Sequence, residues 1–501
     1  MQKTHFPWRA IILGALLSVL VALYSAYAGL KIGGVYWPMV TTAVVSMAIV
    51  RLIGGKDKHE INIMQTTAST GGLLAAGIIF TIPALFMLGL PVSATDILLV
   101  SLTGGMLGLL FVYPLRQRMV VEEKLPYADG TAAAAIINAG DHKGKQSNTL
   151  IGAFSIAAIY AWAKNSFFAS FPISLIPFAG GYLIGTRFTL AWFIGALATV
   201  LVIVPAVGGN SVVEVAKPLG VGIVIGAAIA YFLTSGVPVF LKTAEYYRKA
   251  HMGRWGIAAL LAVCLVLVYA FDLSLPLALF AVAGAFLMAF IGAKITGEMN
   301  VDPMEIFALI VLLAAKFIFG FGVLHLVLLA AVVCIAAGIA GDAMQDFKTG
   351  HILGTPPLHQ LAAEAAGVIS ASLIMGMLML SFSQVGFGGA DFPAPQADAV
   401  KEIVQEGGMP NILVAGMLAG FALTIASWRL GLGAVAIAFG IGMYVPFLLS
   451  LPLFIGGIAR HFIDRAKQTE KWRLIAGGVI AGEGLVGAII VLLAAAKFFG
   501  L

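Results

Sequence analysis

Long apolar runs, broken by short clusters of polar, glycine and proline positions, organise the chain. They fall near 10–30, 34–53, 62–90, 94–115, 147–169, 172–207, 217–237, 255–273, 275–293, 303–320, 322–340, 358–385, 410–428, 430–460 and 473–498. A helix that crosses a bilayer needs about 20 such residues, so most runs predict one transmembrane helix. Proline removes a backbone donor and clashes with the preceding turn. The run holding Pro177 and Arg187 therefore predicts two pieces, and the run holding Pro446 and Pro452 predicts another break. The expected fold is an all-α polytopic integral membrane protein with about 14–17 transmembrane segments, some of them broken or re-entrant.

Composition points the same way. Of 501 residues, 61% are hydrophobic and 10% charged, with mean hydropathy +1.03. A soluble domain carries roughly 25% charged residues, so most of this surface must face lipid. The 59 glycines suit helices whose backbones approach closely in a bilayer. A net charge of +6 gives no reason to expect nucleic acid. Basic residues gather in short segments between runs, which places the N-terminus inside. The stretch 386–409, with Asp391, Asp398, Glu402 and Glu406, is expected outside. Cys264 and Cys334 sit in apolar stretches and form no disulfide or metal-binding pattern. The first run ends Ala26-Tyr27-Ala28, a passable signal-peptidase site, but reads better as the first transmembrane helix.

Two local features matter for organisation. The weakly apolar stretch 116–146 ends in an alanine-rich segment that fits either a short re-entrant helix or a cytosolic surface helix. A faint repeat pairs Asn62-Ile63-Met64-Gln65 with Asp342-Ala343-Met344-Gln345, each soon followed by Thr-Gly. Duplicated halves are common in transporters, with substrate sites at their interface. The halves are expected at 1–254 and 255–501.

Enzyme signatures are missing: no His-Glu-x-x-His, no Gly-x-Ser-x-Gly, no Walker loop and no potassium-type filter. What remains are polar residues in apolar surroundings, each costing roughly 2.5–3.5 kcal/mol at mid-bilayer when charged. They are Lys31, Gln65, Thr66, Ser69, Asp129, Thr131, Lys164, Glu214, Glu298, Asn300, Asp302, Glu305, Asp342, Gln345, Asp346 and Glu483. Bland readings compete. Asn62-x-x-Gln65 and Asp302-Pro303-Met304-Glu305 match helix-capping patterns. Asp342, Asp346, Lys348 and His351 fit a solvated, self-paired turn, and Glu122-Glu123 fits surface ion pairing with nearby arginines and lysines. Glu483 is different, because it lies among glycine and aliphatic residues in the last run. Its alternatives are proton transfer or permanent pairing with Lys31, Lys164 or Lys294. Thr296-Gly297-Glu298-Met299-Asn300 resembles an unwound break whose free carbonyls can line a polar site.

Six islands carry a family resemblance. They are Asn62-Ile63-Met64-Gln65-Thr66-Thr67-Ala68-Ser69-Thr70-Gly71-Gly72, Glu123 through Ala132, Thr296 through Met304, Gly341 through His351, Met443 through Pro452, and Ala481-Gly482-Glu483-Gly484-Leu485. In this order they resemble the oligopeptide transporter family. The resemblance implies a secondary-active, proton-coupled transporter of about 16 helices in two related halves, about 20 residues to each span. Substrates elsewhere in the family are small peptides or metal chelates. Ala128 stands where the family often has a second proline, and the Ser-Pro-Tyr and Lys-Ile-Pro-Pro-Arg motifs of the fungal and plant peptide branch are absent. The match is closer to the prokaryotic and yellow-stripe-like branch.

The expected function is proton-coupled transport of small peptides or peptide-like substrates across a prokaryotic inner membrane. Uptake of metal-siderophore or other metal-chelate complexes is the alternative, with an intramembrane hydrolase or passive channel as remote readings. Expected substrate contacts are Gln65, Thr66, Ser69, Thr131, Glu298, Asn300, Asp342 and Gln345, with Glu483 and Glu298 as proton carriers. No catalytic residue, resident metal or cofactor is expected. The partners are the substrate, protons and the lipid bilayer, and a homodimer stays open.

Overall fold

The computed structural model describes residues 6–498 apart from 34, 36–37, 140–144, 168–173, 208–214, 237–253, 300–301, 303, 321, 405–410, 433–434 and 466–468. The apolar runs fold as helices, and the described residues contain no strand. The first nine main helices are α1 (Trp8–Ile32), α2 (Met39–Leu52), α3 (Lys58–Ile79), α4 (Ala94–Val112), α5 (Ala128–Ala139), α6 (Lys145–Phe167), α7 (Ile176–Ile184), α8 (Thr186–Ala198) and α9 (Lys217–Tyr231). After α10 (Arg254–Ala270) come α11 (Leu275–Met299), α12 (Met304–Phe319), α13 (Val323–Leu353), α14 (Pro357–Ser383) and α15 (Pro395–Val404). The chain ends with α16 (Asn411–Arg429), α17 (Val435–Tyr444), α18 (Phe447–Arg465) and α19 (Thr469–Phe498). Among the described residues, 11 helical stretches are long and apolar enough to cross a membrane. Shorter apolar helices such as α2 and α17 add to them.

The long runs break where the backbone demands it. Gly185, with φ +92°, separates α7 from α8. That conformation favours glycine, so the break falls at Gly185 and not at Pro177, which sits at the start of α7. Pro446 separates α17 from α18, whereas Pro452 lies inside α18 without ending it. Neighbouring helices and local adjustments let a membrane helix tolerate such a proline.

The packing repeats. α1 lies on α3 as α11 lies on α13, and α2 and α12 flank the same two helices. α4 packs on α13 as α14 packs on α3. α6 pairs with α19 as α16 pairs with α9, and α7 pairs with α18 as α17 pairs with α8. The two sets meet through α3–α13, α4–α14 and α8–α18. α3 and α13 are the most enclosed spans, 89% and 83% buried in their most apolar windows. They form the centre.

Two short helices close in on this centre. α5 follows a turn in which Glu123 pairs with Arg118 at 2.7 Å and with Lys294, as the ion-pairing reading expects. It docks on α13 through Gly130, whose N–H donates to Gln345 Oε1 at 2.8 Å and whose carbonyl accepts from Thr349 Oγ1 at 2.8 Å. Lys348 Nζ donates to Leu125 O at 2.8 Å. α5 is thus not a free surface helix.

α15 lies in the acidic stretch 386–409 and packs on neighbouring helices. Ala394 N–H donates to Leu30 O at 3.1 Å and Tyr444 Oη to Pro395 O at 3.0 Å. Asp398 is buried and pairs with Lys217 at 2.9 Å. A buried carboxylate needs such a partner, which lets Asp398 lie inside the bundle while Asp391 of the same stretch stays exposed.

Close helix crossings make small residues indispensable. A Cβ on Gly226 of α9 would sit 1.8 Å from Met417 O of α16, while one on Gly152 of α6 would meet nothing within 4 Å. Overpacking typically costs about 1–3 kcal/mol. Gly226→Ala is therefore expected to lower the melting temperature of the detergent-purified protein by several degrees, and Gly152→Ala to leave it unchanged. Equal melting of the two variants would contradict this crossing.

Candidate functional site

Three helices bring polar stripes to one point. On α3, Asn62, Gln65, Thr66 and Ser69 follow each other at spacings of three, one and three, which puts them on one face. On α13, Asp342, Asp346 and Thr349 do the same, and on α14 Gln360 and Glu364 are one turn apart. All nine are fully buried. Asp57 caps α3 by accepting from His59 N–H at 3.0 Å. Asn62 therefore lies a full turn inside the helix, and the capping reading of Asn62 and Gln65 is corrected. The solvated-turn reading of Asp342 and Asp346 falls as well, because α13 carries them into the bundle centre.

Asp346 is the hub. Its Oδ1 accepts from Gln65 Nε2 at 2.6 Å and its Oδ2 from Ser69 Oγ at 2.9 Å. Asn62 Nδ2 holds the Gln65 carbonyl oxygen at 3.2 Å. Thr70 Oγ1 donates to Glu364 Oε2 at 2.8 Å. One oxygen each from Asp342, Asp346 and Glu364 lie within 4.8 Å of one another. Both oxygens of Asp342 and Oε1 of Glu364 have no hydrogen-bond partner among the described residues. The contacts described for these three acids are hydroxyl, amide and carboxyl groups. Asp302 reaches the same turn from outside: a Cβ on Gly341 would lie 2.3 Å from its Oδ2.

Of the residues singled out from sequence, Gln65, Thr66, Ser69, Asp342 and Asp346 gather here. Gln345 is on the same turn but gives its side chain to Gly130 of α5. Thr131 sits on the exposed face of α5 and donates to Pro126 O at 2.7 Å, outside the cluster. The reason is rotational: α5 presents Gly130 to α13, and the next residue points elsewhere. Glu298 falls in the last turn of α11, while Asn300 and Glu214 lie outside the described residues.

The unwound break expected at Thr296–Asn300 is absent as far as Met299, because α11 stays helical to that point. Tyr127 covers its end, with N–H donating to Gly297 O at 3.1 Å and Oη to Ala293 O at 3.0 Å. Those carbonyls are satisfied by protein, not left for a ligand. Glu364 and Gln360 escaped the sequence candidates. Glu364's signal is a lone acid in the apolar run 358–385, the same signal that marks Glu483.

Glu483 has a separate surrounding. Its carboxylate accepts from Ser174 Oγ and from Leu175 N–H, both at 2.7 Å, at the start of α7. Helix N-termini favour an anion. Lys31 sits 4.9 Å from the ring centre of Tyr27, and Lys31 and Lys164 both lie within electrostatic reach of Glu483. Lys294, the third partner considered for Glu483, is engaged by Glu123.

The family model for OPT oligopeptide transporter proteins matches residues 6–219 and 245–494. The chain belongs to the oligopeptide transporter family. Within that family, a Haemophilus influenzae protein named as a candidate oligopeptide transporter is 26% identical over 94% of this chain and 93% of its own length. A Saccharomyces cerevisiae protein with a similar name is 26% identical over 45% of this chain and 35% of its own. A rice protein named as a candidate metal-nicotianamine transporter is 26% identical over 29% of this chain and 23% of its own. This member of the family is an integral membrane transporter, with its polar core where α3, α13 and α14 meet.

The Asp346 geometry sets an expectation for this transporter. Hydrogen bonds to a charged group contribute roughly 1.5–3 kcal/mol. Gln65→Leu and Ser69→Ala should each lower the melting temperature. Together they should lower it by less than the sum, since both act on one carboxylate. Strict additivity in thermal melts of the four proteins would separate the two contacts.

Proposed function

We propose that this transporter is a secondary-active symporter that carries small peptides or peptide-like substrates with protons. The observation that carries the reading is the closed polar cluster at the junction of the two repeated helix sets. Transporters of duplicated architecture place their sites at such junctions and expose them alternately to either side. With all its side chains buried, the cluster corresponds to a state closed to both sides. Gln65, Thr66, Ser69, Asp342 and Gln345 are the substrate contacts of this reading. Their amides and hydroxyls match a peptide's own donors and acceptors. Glu483 is its proton carrier, with Glu298 at the end of α11 as a second.

The repeated packing supports a division into halves at 1–254 and 255–501, with α10 opening the second half as an addition to the repeat. The positions of the basic segments support a cytoplasmic N-terminus in a prokaryotic inner membrane. No chemical step is part of the reading. Transport of a metal chelate is the second reading, favoured by the names of the rice relatives and by the absent peptide-branch motifs.

Uptake into proteoliposomes tests both. Small peptides would be compared with iron, copper and zinc chelates, with and without an inward proton gradient. Peptide accumulation above the outside level, only with the gradient, is expected. Chelate accumulation with no peptide uptake would favour the second reading, and equilibration without accumulation would make the protein a passive channel. Glu483→Gln keeps the side chain's shape and fixes it neutral. That variant should still exchange substrate but lose gradient-driven accumulation. Full accumulation by the variant would return Glu483 to a purely structural part at the start of α7.

A further inference from the structure

We propose that Asp342, Asp346 and Glu364 form a binding site for an unchelated hard divalent cation of the magnesium, calcium or manganese class. Two observations carry it. The first is the approach of three carboxyl groups, with one oxygen of each within 4.8 Å of the others. Calcium binds oxygen ligands at about 2.3–2.6 Å, so small side-chain rotations bring all three onto one ion. The second is the state of the individual oxygens. Asp342 is fully buried with both oxygens unpartnered among the described residues, and Glu364 Oε1 is also unpartnered. Buried polar groups are nearly always hydrogen-bonded. A carboxylate left with no donor at the centre of a bundle is therefore a place for a ligand.

The remaining oxygens are held for the same purpose. Gln65 and Ser69 fix Asp346 from one side, and Thr70 fixes Glu364 Oε2. The bonds to Asp346 engage both of its oxygens, whereas the bond to Glu364 leaves its Oε1 unpartnered among the described residues. The donor set selects the kind of ion. It contains carboxylate, hydroxyl and amide oxygens, and no imidazole or thiolate joins it among the described residues. Hard oxygen sites suit magnesium, calcium and manganese, whereas iron, copper and zinc centres draw on imidazole and thiolate. Charge agrees. With all three acids ionised the space would hold a charge of −3, with no lysine or arginine among their hydrogen-bond partners in the described residues. A divalent ion removes most of it.

The site is distinct from the proton carrier assigned to Glu483 but shares Asp342 with the proposed substrate contacts, and cation binding without substrate does not depend on which substrate is carried. The test uses the full-length protein in detergent at neutral pH, with Mn²⁺ as the probe read by electron paramagnetic resonance, and Mg²⁺ and Ca²⁺ as competitors. One Mn²⁺ per chain is expected. Asp342→Asn and Glu364→Gln should each weaken binding at least about tenfold, the range in which even outer-sphere changes act. Arg9→Gln, which removes a distant ion pair with Glu60, should bind as the unaltered protein does.

A second measurement needs no variant. A hydrophobic carbodiimide labels buried carboxyl groups, and mass spectrometry locates the label. Mn²⁺ should protect Asp342, Asp346 and Glu364, but not Glu483. Absence of Mn²⁺ binding, binding that survives both substitutions, or labelling of the three acids indifferent to Mn²⁺ would each overturn the proposal. Uptake is not the readout, so a wrong substrate class and a wrong cation site fail separately.

Discussion

A carboxylate in the middle of a lipid-embedded bundle has to be answered by donors, protons or a cation, because water is not there to do it. Asp346 meets this constraint with Gln65 and Ser69 of α3, and that contact requires α3 and α13 to lie close together. Small residues make the approach feasible. A Cβ on Gly77 of α3 would come within 2.5 Å of Ile335 on α13, and one on Gly108 of α4 within 2.6 Å of Ala336 O. On the far side of α3, Gly71 leaves room for the α1 backbone at Ser18, with 2.2 Å to Ser18 O from a built Cβ. The glycine-rich composition and the acidic cluster are two sides of one arrangement. The first brings backbones close enough for the second to be satisfied.

The repeated packing explains why the cluster sits where it does. α3 and α13 hold equivalent places in their sets, each flanked by the helix two before it and by the long helix of the other set. Helices that occupy the same place in two related sets meet at the junction between them. Gln65 of the Asn-x-x-Gln motif therefore meets Asp346, the residue just after the Asp-x-x-Gln motif, although they lie 281 residues apart. α5 and α15 also hold matching places, and each ends in contact with the opposite set. α5 is fixed to α13 through Gly130, and α15 to α1 and α9 through Leu30 and Lys217. Both short helices are anchored by backbone and amide bonds, to which α15 adds an ion pair and a tyrosine.

Much of this was legible in the sequence, for a physical reason. Transmembrane helices announce themselves by length and apolarity, so the helices and the break between α7 and α8 could be read directly. The polar stripe of α3 was visible as Gln65, Thr66 and Ser69, because polar residues in an apolar run have few places to go. Orientation about the helix axis was not visible. Thr131 and Gly130 are neighbours in the chain, yet one lies on the exposed face of α5 and the other meets Gln345. Glu364 was missed because alanines surround it and no motif draws attention to it. The unwound break at Thr296 was misjudged because small and polar residues mark both helix interruptions and close contacts. Here Gly297 is small to admit Tyr127, with 2.7 Å from a built Cβ to the ring. Likewise the burial of Asp398 could not be read from its acidic stretch, because Lys217, the ion-pair partner that allows it, lies far away in sequence.

Two ionisable centres now stand apart in one bundle: the acids of α13 and α14, and Glu483 of α19 at the start of α7. α1 touches the surroundings of both. At Ser18 its hydroxyl donates to Gly367 O of α14 at 3.2 Å, one turn from Glu364. Farther along, Tyr27 and Lys31 face the Glu483 side, and α1 packs along α19. Among the described residues no chain of side-chain hydrogen bonds joins the two centres. What the packing does establish is a constraint on motion. α1 is one continuous helix from Trp8 to Ile32, so motion at one centre bears on the other through it. Any cycle that opens the α3–α13–α14 cluster by shifting α14 must either carry α1 with it, disturbing Lys31 beside Glu483, or break the Ser18–Gly367 contact.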